Sequence, residues 1–590
     1  MKHTRRPWWR LIAALAALGT IAGACGDDSD TVGADDDASS VTTFANEGGT
    51  VGDQDETEVA LGGRIVVALE GESLSYEPGV AELTAGGLTV AYAIYDPLIS
   101  LDENGEYKPF LAESLEPNAD LSEWTLTLRD GVVFHDGSPL DAETLKWNFD
   151  TLLFAEGRNT RGSLQSAGVT EMEVVDDLTV VYKLSGPNAG FPDLLRGTPG
   201  FPASREAYEA DPENFGSKPV GTGPFQIESW VRDDSLVVTR NPDYWFTDAE
   251  GRQLPYLDTI EFRPLPDEQT RVISLESDDV QVMQTLRGST AKQALELVDD
   301  DSRDFGAVTY VGNLSGAAIF NTLEPPLDDV RVRRALAMAS DGEQVAQVLG
   351  DDGLVPRSPG FFSTDSPWYS QAAADAYPGT HGRNVEEATR LIEEYKNDPA
   401  RSDGKAPGES VNVEYSCLPD ASLLQVAQLQ QQLWSEAGVE VALEQVDQAT
   451  LISNAIGSGD TSPPFRGDFL ANCWRSPALT GDPLTDFQGF FGPVESSATN
   501  FTNFTHPEIT AALETLRTSN DFEERYAAVE TIGIIAGENV PIAFSSATPT
   551  LVGFRGDVHG IPTWTLPDGS MGTGIPGGVI RFHEAFLAVD

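Results

Sequence analysis

Val411-Asn412-Val413-Glu414-Tyr415-Ser416 opens the stretch that decides the architecture, and it runs on to Val446. The opening run alternates apolar and polar side chains, the period of a half-buried strand. Leu423, Val426, Ala427, Leu433, Trp434 and Ala437 then fall on related faces of a helix, and Gly438 stops it. Val439, Val441 and Leu443 alternate again as a second strand. Strand, helix, strand over this length is a βαβ unit, which predicts a parallel pair with a right-handed crossover.

Working outward, Gly63-Arg64-Ile65-Val66-Val67-Ala68-Leu69 is a continuous apolar run of the kind a strand buried on both faces needs, followed by a loop from Glu70 to Pro78. Trp124 to Arg129 alternates at period two, Asp130-Gly131 turns the chain, Val132-Val133-Phe134 continues it and Asp136-Gly137 turns it again, which predicts antiparallel pairing. Asp141 reads as an N-cap ahead of Leu145, Phe149, Leu152 and Leu153. Further helices are predicted from Asp329 and from Asn384, where Glu387 suggests a capping box. The expected class is α/β. With 590 residues the chain has room for about three or four folding units.

The chain carries 37 Lys+Arg against 94 Asp+Glu, a formal charge of -57. No window is basic enough to neutralise a phosphate backbone, so nucleic acid is excluded as a partner. Eight of the cations are Lys and 29 are Arg. That bias suits a salt-adapted source or a GC-rich genome alike.

The N-terminus reads as an address. Lys2, Arg5, Arg6 and Arg10 precede the apolar stretch Leu11 to Ala24, too short for a comfortable membrane span, so residues 1–24 are expected to be a signal peptide. Arg5-Arg6 also suits a twin-arginine signal, and the export route stays open. Ile21-Ala22-Gly23-Ala24-Cys25 resembles a bacterial lipobox, with Ala22 where Leu is usual, which implies lipidation of Cys25; plain secretory cleavage is the alternative. From Gly26 to Leu61 there are eleven acids and no Lys or Arg. Residues 25–61 are therefore expected to be a disordered acidic tether.

Cys417 and Cys473 each follow a strand-like run, and an exported chain meets oxidising conditions. A disulfide between them is expected, with two buried thiols as the alternative. The six His show no ligand spacing, so neither a metal nor a cofactor is expected.

Blocks spread over nearly the whole body then carry a resemblance. They are Pro109 to Ser114 with Trp124 to Arg129 and Gly131 to Glu143; Pro219-Val220-Gly221-Thr222-Gly223-Pro224-Phe225; Arg240 to Trp245; Phe320-Asn321; and Leu327 to Leu336. Asn503-Phe504 through Pro507, Arg525 and Asn539-Val540-Pro541 continue them. In this order they resemble the extracellular solute-binding proteins of family 5, the oligopeptide- and dipeptide-type receptors of ABC importers. The resemblance implies a two-lobed clamp of the type II periplasmic-binding-protein kind, crossed twice by the chain, near 312–318 and 541–550. Lobe one is expected at residues 62–312 with 546–590, including an extra subdomain inserted at about 85–215, and lobe two at 313–545. Ligand would lie between the lobes, where pockets also form on physical grounds.

Candidate ligand contacts are Glu72 and Ser73 after the first strand, Asn313 and Ser315 at the first crossover, and Trp474, Arg475 and Ser476 after a lobe-two strand. Many peptide-binding relatives place an Asp just after the last of these. Here Arg475 and Ser476 stand in that stretch and the next acid is Asp482, which puts free-peptide binding in question and suits a carboxylate or other anion on Arg475. His135-Asp136-Gly137 and Gly221-Thr222-Gly223-Pro224 read as structural turns, Asn241 to Trp245 as core, and the sequons at Asn500 and Asn503 as a polar loop.

The implied function is capture of a peptide or similar small solute for an ABC permease, by a monomer held by its lipid on the outer face of a bacterial cell membrane. An exported hydrolase or a ligand-sensing lipoprotein on the same clamp are the alternatives. No G-x-S-x-G or H-E-x-x-H sequence supports the hydrolase.

Overall fold

Ile65, Val67, Ala68 and Leu69 are almost wholly withdrawn from water because their strand, Arg64–Leu69, lies inside a sheet with partners on both sides. It runs parallel to Thr259–Pro264 and to Val282–Thr285, which accounts for the unbroken apolar run. The full sheet has seven strands in the order Phe305–Val311, Pro549–Arg555, Val282–Thr285, Arg64–Leu69, Thr259–Pro264, Ser235–Arg240, Phe225–Val231. This computed structural model describes residues 59–588 apart from 82, 301–303, 312–315, 355–359, 365, 448–449, 452–453, 456–468, 475–481, 494–499 and 547–548. The expected signal, lipid and tether segments therefore lie outside the described residues, apart from the tether's last three positions.

A second sheet of five strands has the order Val439–Gln445, Val411–Cys417, Ala471–Trp474, Gly316–Phe320, Ile542–Ser546. Val411 pairs with Val439 and Tyr415 with Leu443 in parallel register, as the βαβ reading predicts. Between these strands Asp420 caps the helix Ala421–Glu436 by accepting from the amides of Ser422 and Leu423. Trp434 on that helix is fully buried and donates from Nε1 to Ser340 Oγ at 3.0 Å. Gly438 turns the chain at φ +94, a conformation that a Cβ would strain. Val411–Cys417 also runs parallel to Ala471–Trp474, which brings Cys417 and Cys473 to a Cα separation of 5.1 Å, bonded through sulfur.

A four-stranded antiparallel sheet, Ala112–Pro117, Glu123–Leu128, Thr179–Leu184, Val169–Val174, occupies part of the segment where an insertion was expected. The chain passes from the seven-stranded to the five-stranded sheet between Val311 and Gly316, and returns between Ser546 and Pro549. Each large sheet has its own apolar core.

Several local expectations are corrected. Val132-Val133-Phe134 forms no strand beyond one bridge, Val133 to Pro139, because Gly131 and Gly137 turn the backbone at positive φ on either side. Asn384 does cap its helix through Glu387 N, but the Glu387 carboxylate pairs with Arg390 instead of completing a box. Asn500 and Asn503 do stand in a loop, and that loop is buried: Asn500 donates to the carbonyls of Gly492 and Phe504, and Asn503 to Asn321 Oδ1 at 2.9 Å.

Candidate functional site

The turn blocks of the sequence are held on one another. His135 N donates to Gly221 O at 2.9 Å and its ring nitrogen Nε2 lies 3.0 Å from Gly223 O. A Cβ at Gly221 or Gly223 would stand 2.3 or 2.6 Å from the Ile94 carbonyl oxygen, so these glycines permit a close backbone approach. Asp136 accepts from Ser138 and Ser204. Burial pulls the His135 imidazole down to about 4. The neighbouring Asp96 carboxylate accepts from Tyr244 Oη, Trp245 Nε1 and Thr222 Oγ1 at 2.9, 2.9 and 3.3 Å, which places the Asn241–Trp245 aromatics in the core.

A cavity of about 730 Å³ opens between the two large sheets. One wall comes from the Ile99–Pro109 hairpin region, Trp124, Ala189, Pro192, Arg196 and the strand residues Val308, Thr309 and Tyr310, with Gly574, Ile575 and Pro576 beside them. The facing wall is Ser363, Ser366, Pro367, Trp368, Asp482, Asn520, Phe522 and Arg525. The size and the mixture of apolar lining with a few placed charges are those of a small-molecule site.

Each wall presents an acid–arginine pair. Arg196 donates from Nε to Asp193 Oδ1 at 2.9 Å, and the Tyr107 hydroxyl lies 3.4 Å from the same oxygen. Opposite, Asp482 caps the helix Pro483–Phe491 through Leu484 N at 2.8 Å and accepts from Arg525 Nη2 at 2.5 Å. Arg525 also donates to the carbonyls of Leu516 and Ser519, so its fork is filled and its geometry set. Burial pushes the Asp482 carboxyl up to about 6, against the pull of Arg525 and with a further push from Asp193 across the cleft.

The walls also touch. Ala189 N donates to Arg517 O at 2.8 Å, Gln488 Nε2 lies 3.4 Å from Ser166 O, and a Cβ at Gly190 would stand 3.0 Å from the Asp482 carboxylate. On the other flank Arg287 faces Asp420 at 3.5 Å and Lys292 meets Asp352 at 2.5 Å. The arrangement is that of a clamp with its jaws together.

The sequence-derived candidates divide. Glu72 accepts from Trp230 Nε1 at 3.0 Å and from Asp233 N at 3.2 Å, fastening the hairpin of its own sheet. Ser73 is buried with its Oγ directed at Gly87 on the helix Ala85–Ile94. Neither is among the residues that line the cavity. Trp474 ends its strand, paired with Ala317 in register, while Asn313, Ser315, Arg475 and Ser476 lie outside the described residues. Arg196 and the Asp482–Arg525 pair were not picked out, although Asp482 stood out as the first acid after Arg475 and Arg525 as part of a C-terminal pattern.

Comparison with known proteins agrees with this geometry. The curated glutathione-binding protein GsiB of Salmonella paratyphi A is 30% identical over 317 residues, which span 52% of this chain and 60% of that relative. Among solved structures, the periplasmic binding protein DppA from Helicobacter pylori in complex with the peptide STSA superposes with a TM-score of 0.70 at 19% identity, over 90% of this chain and 99% of that one. AgaA from A. tumefaciens R10 in complex with agropinic acid gives 0.70 at 22% identity, over 90% and 99%. These likenesses establish the fold as the two-lobed type II clamp. Residues 106–498 match the model of "Bacterial extracellular solute-binding proteins, family 5 Middle", about two thirds of the sequence. With the motif blocks packed together and a closed cleft between two sheets, the chain belongs to the bacterial extracellular solute-binding proteins of family 5.

Proposed function

We propose that this protein captures a peptide or a small solute of similar size in the interlobe cleft and delivers it to an ABC import permease. The cavity of about 730 Å³ between the Arg196 and Asp482–Arg525 walls is the observation that carries this reading. Relatives named for glutathione binding, and neighbours solved with a tetrapeptide and with agropinic acid, support a solute of that size. The family comprises transport receptors, and no covalent step is needed. Closure exchanges the hydration of the ligand's polar groups for fixed protein partners, and the permease then reads the closed shape.

In this reading lobe one is 62–312 with 546–590, its extra subdomain about 85–215, and lobe two 313–545. The two passages of the chain between sheets act as the hinge, with Asn313 and Ser315 in the first. Trp474, Arg475 and Ser476, at and after the end of the Ala471–Trp474 strand, are the proposed solute contacts, while Glu72 and Ser73 serve the packing of their own hairpin and helix. Residues 1–24 direct export, and a lipid on Cys25 with the acidic tether holds a monomeric body at the outer face of the membrane. Mass spectrometry of small molecules released from the purified, acid-denatured chain tests the reading. One stoichiometric solute supports it, and protein that neither carries nor takes up any solute contradicts it.

A further inference from the structure

Val579-Ile580-Arg581-Phe582 places a cation inside an apolar run, and Arg581 is only 7% exposed. Its guanidinium carbon lies 3.3 Å from the centre of the Tyr92 ring and 5.2 Å from that of Trp564. Four other arginines are buried among the described residues, and each has several oxygen acceptors: Arg271, Arg333, Arg401 and Arg525. Arg581 differs, since its guanidinium makes no hydrogen bond or ion pair among the described residues. Asp96, the acid whose field reaches it, is engaged by Tyr244, Trp245 and Thr222.

A largely buried guanidinium whose donors meet no protein acceptor is costly unless a ligand or solvent takes them. Contact with the aromatic faces of Tyr92 and Trp564 offsets part of that cost but satisfies none of the in-plane N–H donors. Arg581 lines, together with Arg196, a recess of about 50 Å³. Leu101, Thr573, Gly574 and Pro576 line both this recess and the main cleft, so one is a side chamber of the other. Tyr92 ties the two arginines together, with its ring against Arg581 and its hydroxyl donating to Arg196 O at 2.6 Å. Arg196 is paired with Asp193, which leaves Arg581 as the cation of this recess with no acid bonded to it among the described residues. The recess holds about three or four water-sized spheres, enough for a carboxylate head but not for the body of a solute.

We propose that Arg581, with Arg196 beside it, forms an anion subsite at the inner end of the cleft that receives a carboxylate of the bound solute. The planar fork of Arg581 suits two parallel N–H···O bonds to such a group. This inference rests on the cleft being the solute site.

Calorimetric titration of the ligand-free full chain tests it, using di- to pentapeptides as free acids and as C-terminal amides, and succinate and glutarate as acids without a peptide. The expected result is at least a tenfold preference for a free acid over its amide, or binding of a dicarboxylate. Arg581→Gln is expected to abolish that preference and leave binding of the amide unchanged. Arg581→Lys keeps the charge on Tyr92 and is expected to lose a large part of the preference, which decides the matter should the Gln variant fail to fold. Acid and amide binding equally well, with both variants unchanged, would overturn the subsite and leave the solute-receptor reading intact. Failure of every compound to bind the wild type would overturn both.

Discussion

Asp482 and Arg525, 43 positions apart, meet carboxylate to guanidinium at 2.5 Å in the wall of the cleft, with side chains only 5% and 7% exposed. Removing one partner of such a pair leaves the other charged and unsatisfied in a poor solvent. Arg525→Ala is therefore expected to destabilise the fold by about 3–5 kcal/mol. The loss has a pH signature. The folded Asp482 carboxyl, already raised by burial to about 6, rises further without Arg525, whereas the unfolded one titrates near 4. Stability of the variant therefore falls as pH rises through that window, and urea unfolding at pH 8 should show a larger deficit than at pH 5. Equal deficits at the two pH values would refute the pairing as the cause.

Cys417 and Cys473 close a loop across 56 positions. Restricting that loop in the unfolded chain is worth about 4 kcal/mol in the chain-entropy model. Replacing both by Ser is expected to lower the urea midpoint accordingly, and wild-type protein denatured without reductant should yield no alkylation at Cys417 or Cys473. Label on both Cys417 and Cys473 would contradict the bond.

His583 is buried against Phe110 and Trp564, and burial, aided by the charge of Arg581, pulls its imidazole down to about 3. Its unfolded counterpart titrates near 6.5. Between those values the unfolded chain binds a proton that the folded one refuses, so stability is present above about 6.5 and is lost as pH falls toward 3. His583→Gln is expected to flatten that acid limb by a few kcal/mol, measured by denaturant unfolding from pH 7 to pH 4. An unchanged limb would assign the acid loss to other groups.

Arg475→Ala is expected to weaken the native solute tenfold or more, read by calorimetry with the compound that co-purifies. Unchanged affinity would remove Arg475 from the site.

The architecture was legible where burial leaves a periodic trace. Val411 to Val446 shows it, because strand alternation, a helical apolar face and Gly438 all point to one topology. Gly221 and Gly223 were readable as turns, although the reason, contact with the Ile94 carbonyl, is tertiary. The cleft was far less legible. Asp482 and Arg525 carry no local pattern that announces their pairing, and Asp193 and Arg196 come from a separate segment of the opposite wall. Glu72 and Ser73 sit at a strand end, as cleft residues often do, but Trp230 and the helix at Gly87 engage them first. Asn500 and Asn503 were readable as a polar loop, but not the burial of that loop, because sequence does not reveal that Gly492, Phe504 and Asn321 present partners inside the fold. Arg581 did carry a signal, a charge within Val579-Ile580-Arg581-Phe582. A cation in such a run marks either a buried pair or a site.

Thermal unfolding of ligand-free protein, with and without peptides and small organic anions, tests the central claim most directly. A solute at about 100 times its dissociation constant stabilises the folded clamp by roughly 2.7 kcal/mol. The account predicts a midpoint rise of about 2 °C or more with at least one such solute. No rise with any of them, in protein shown to be folded and free of co-purified ligand, would contradict it.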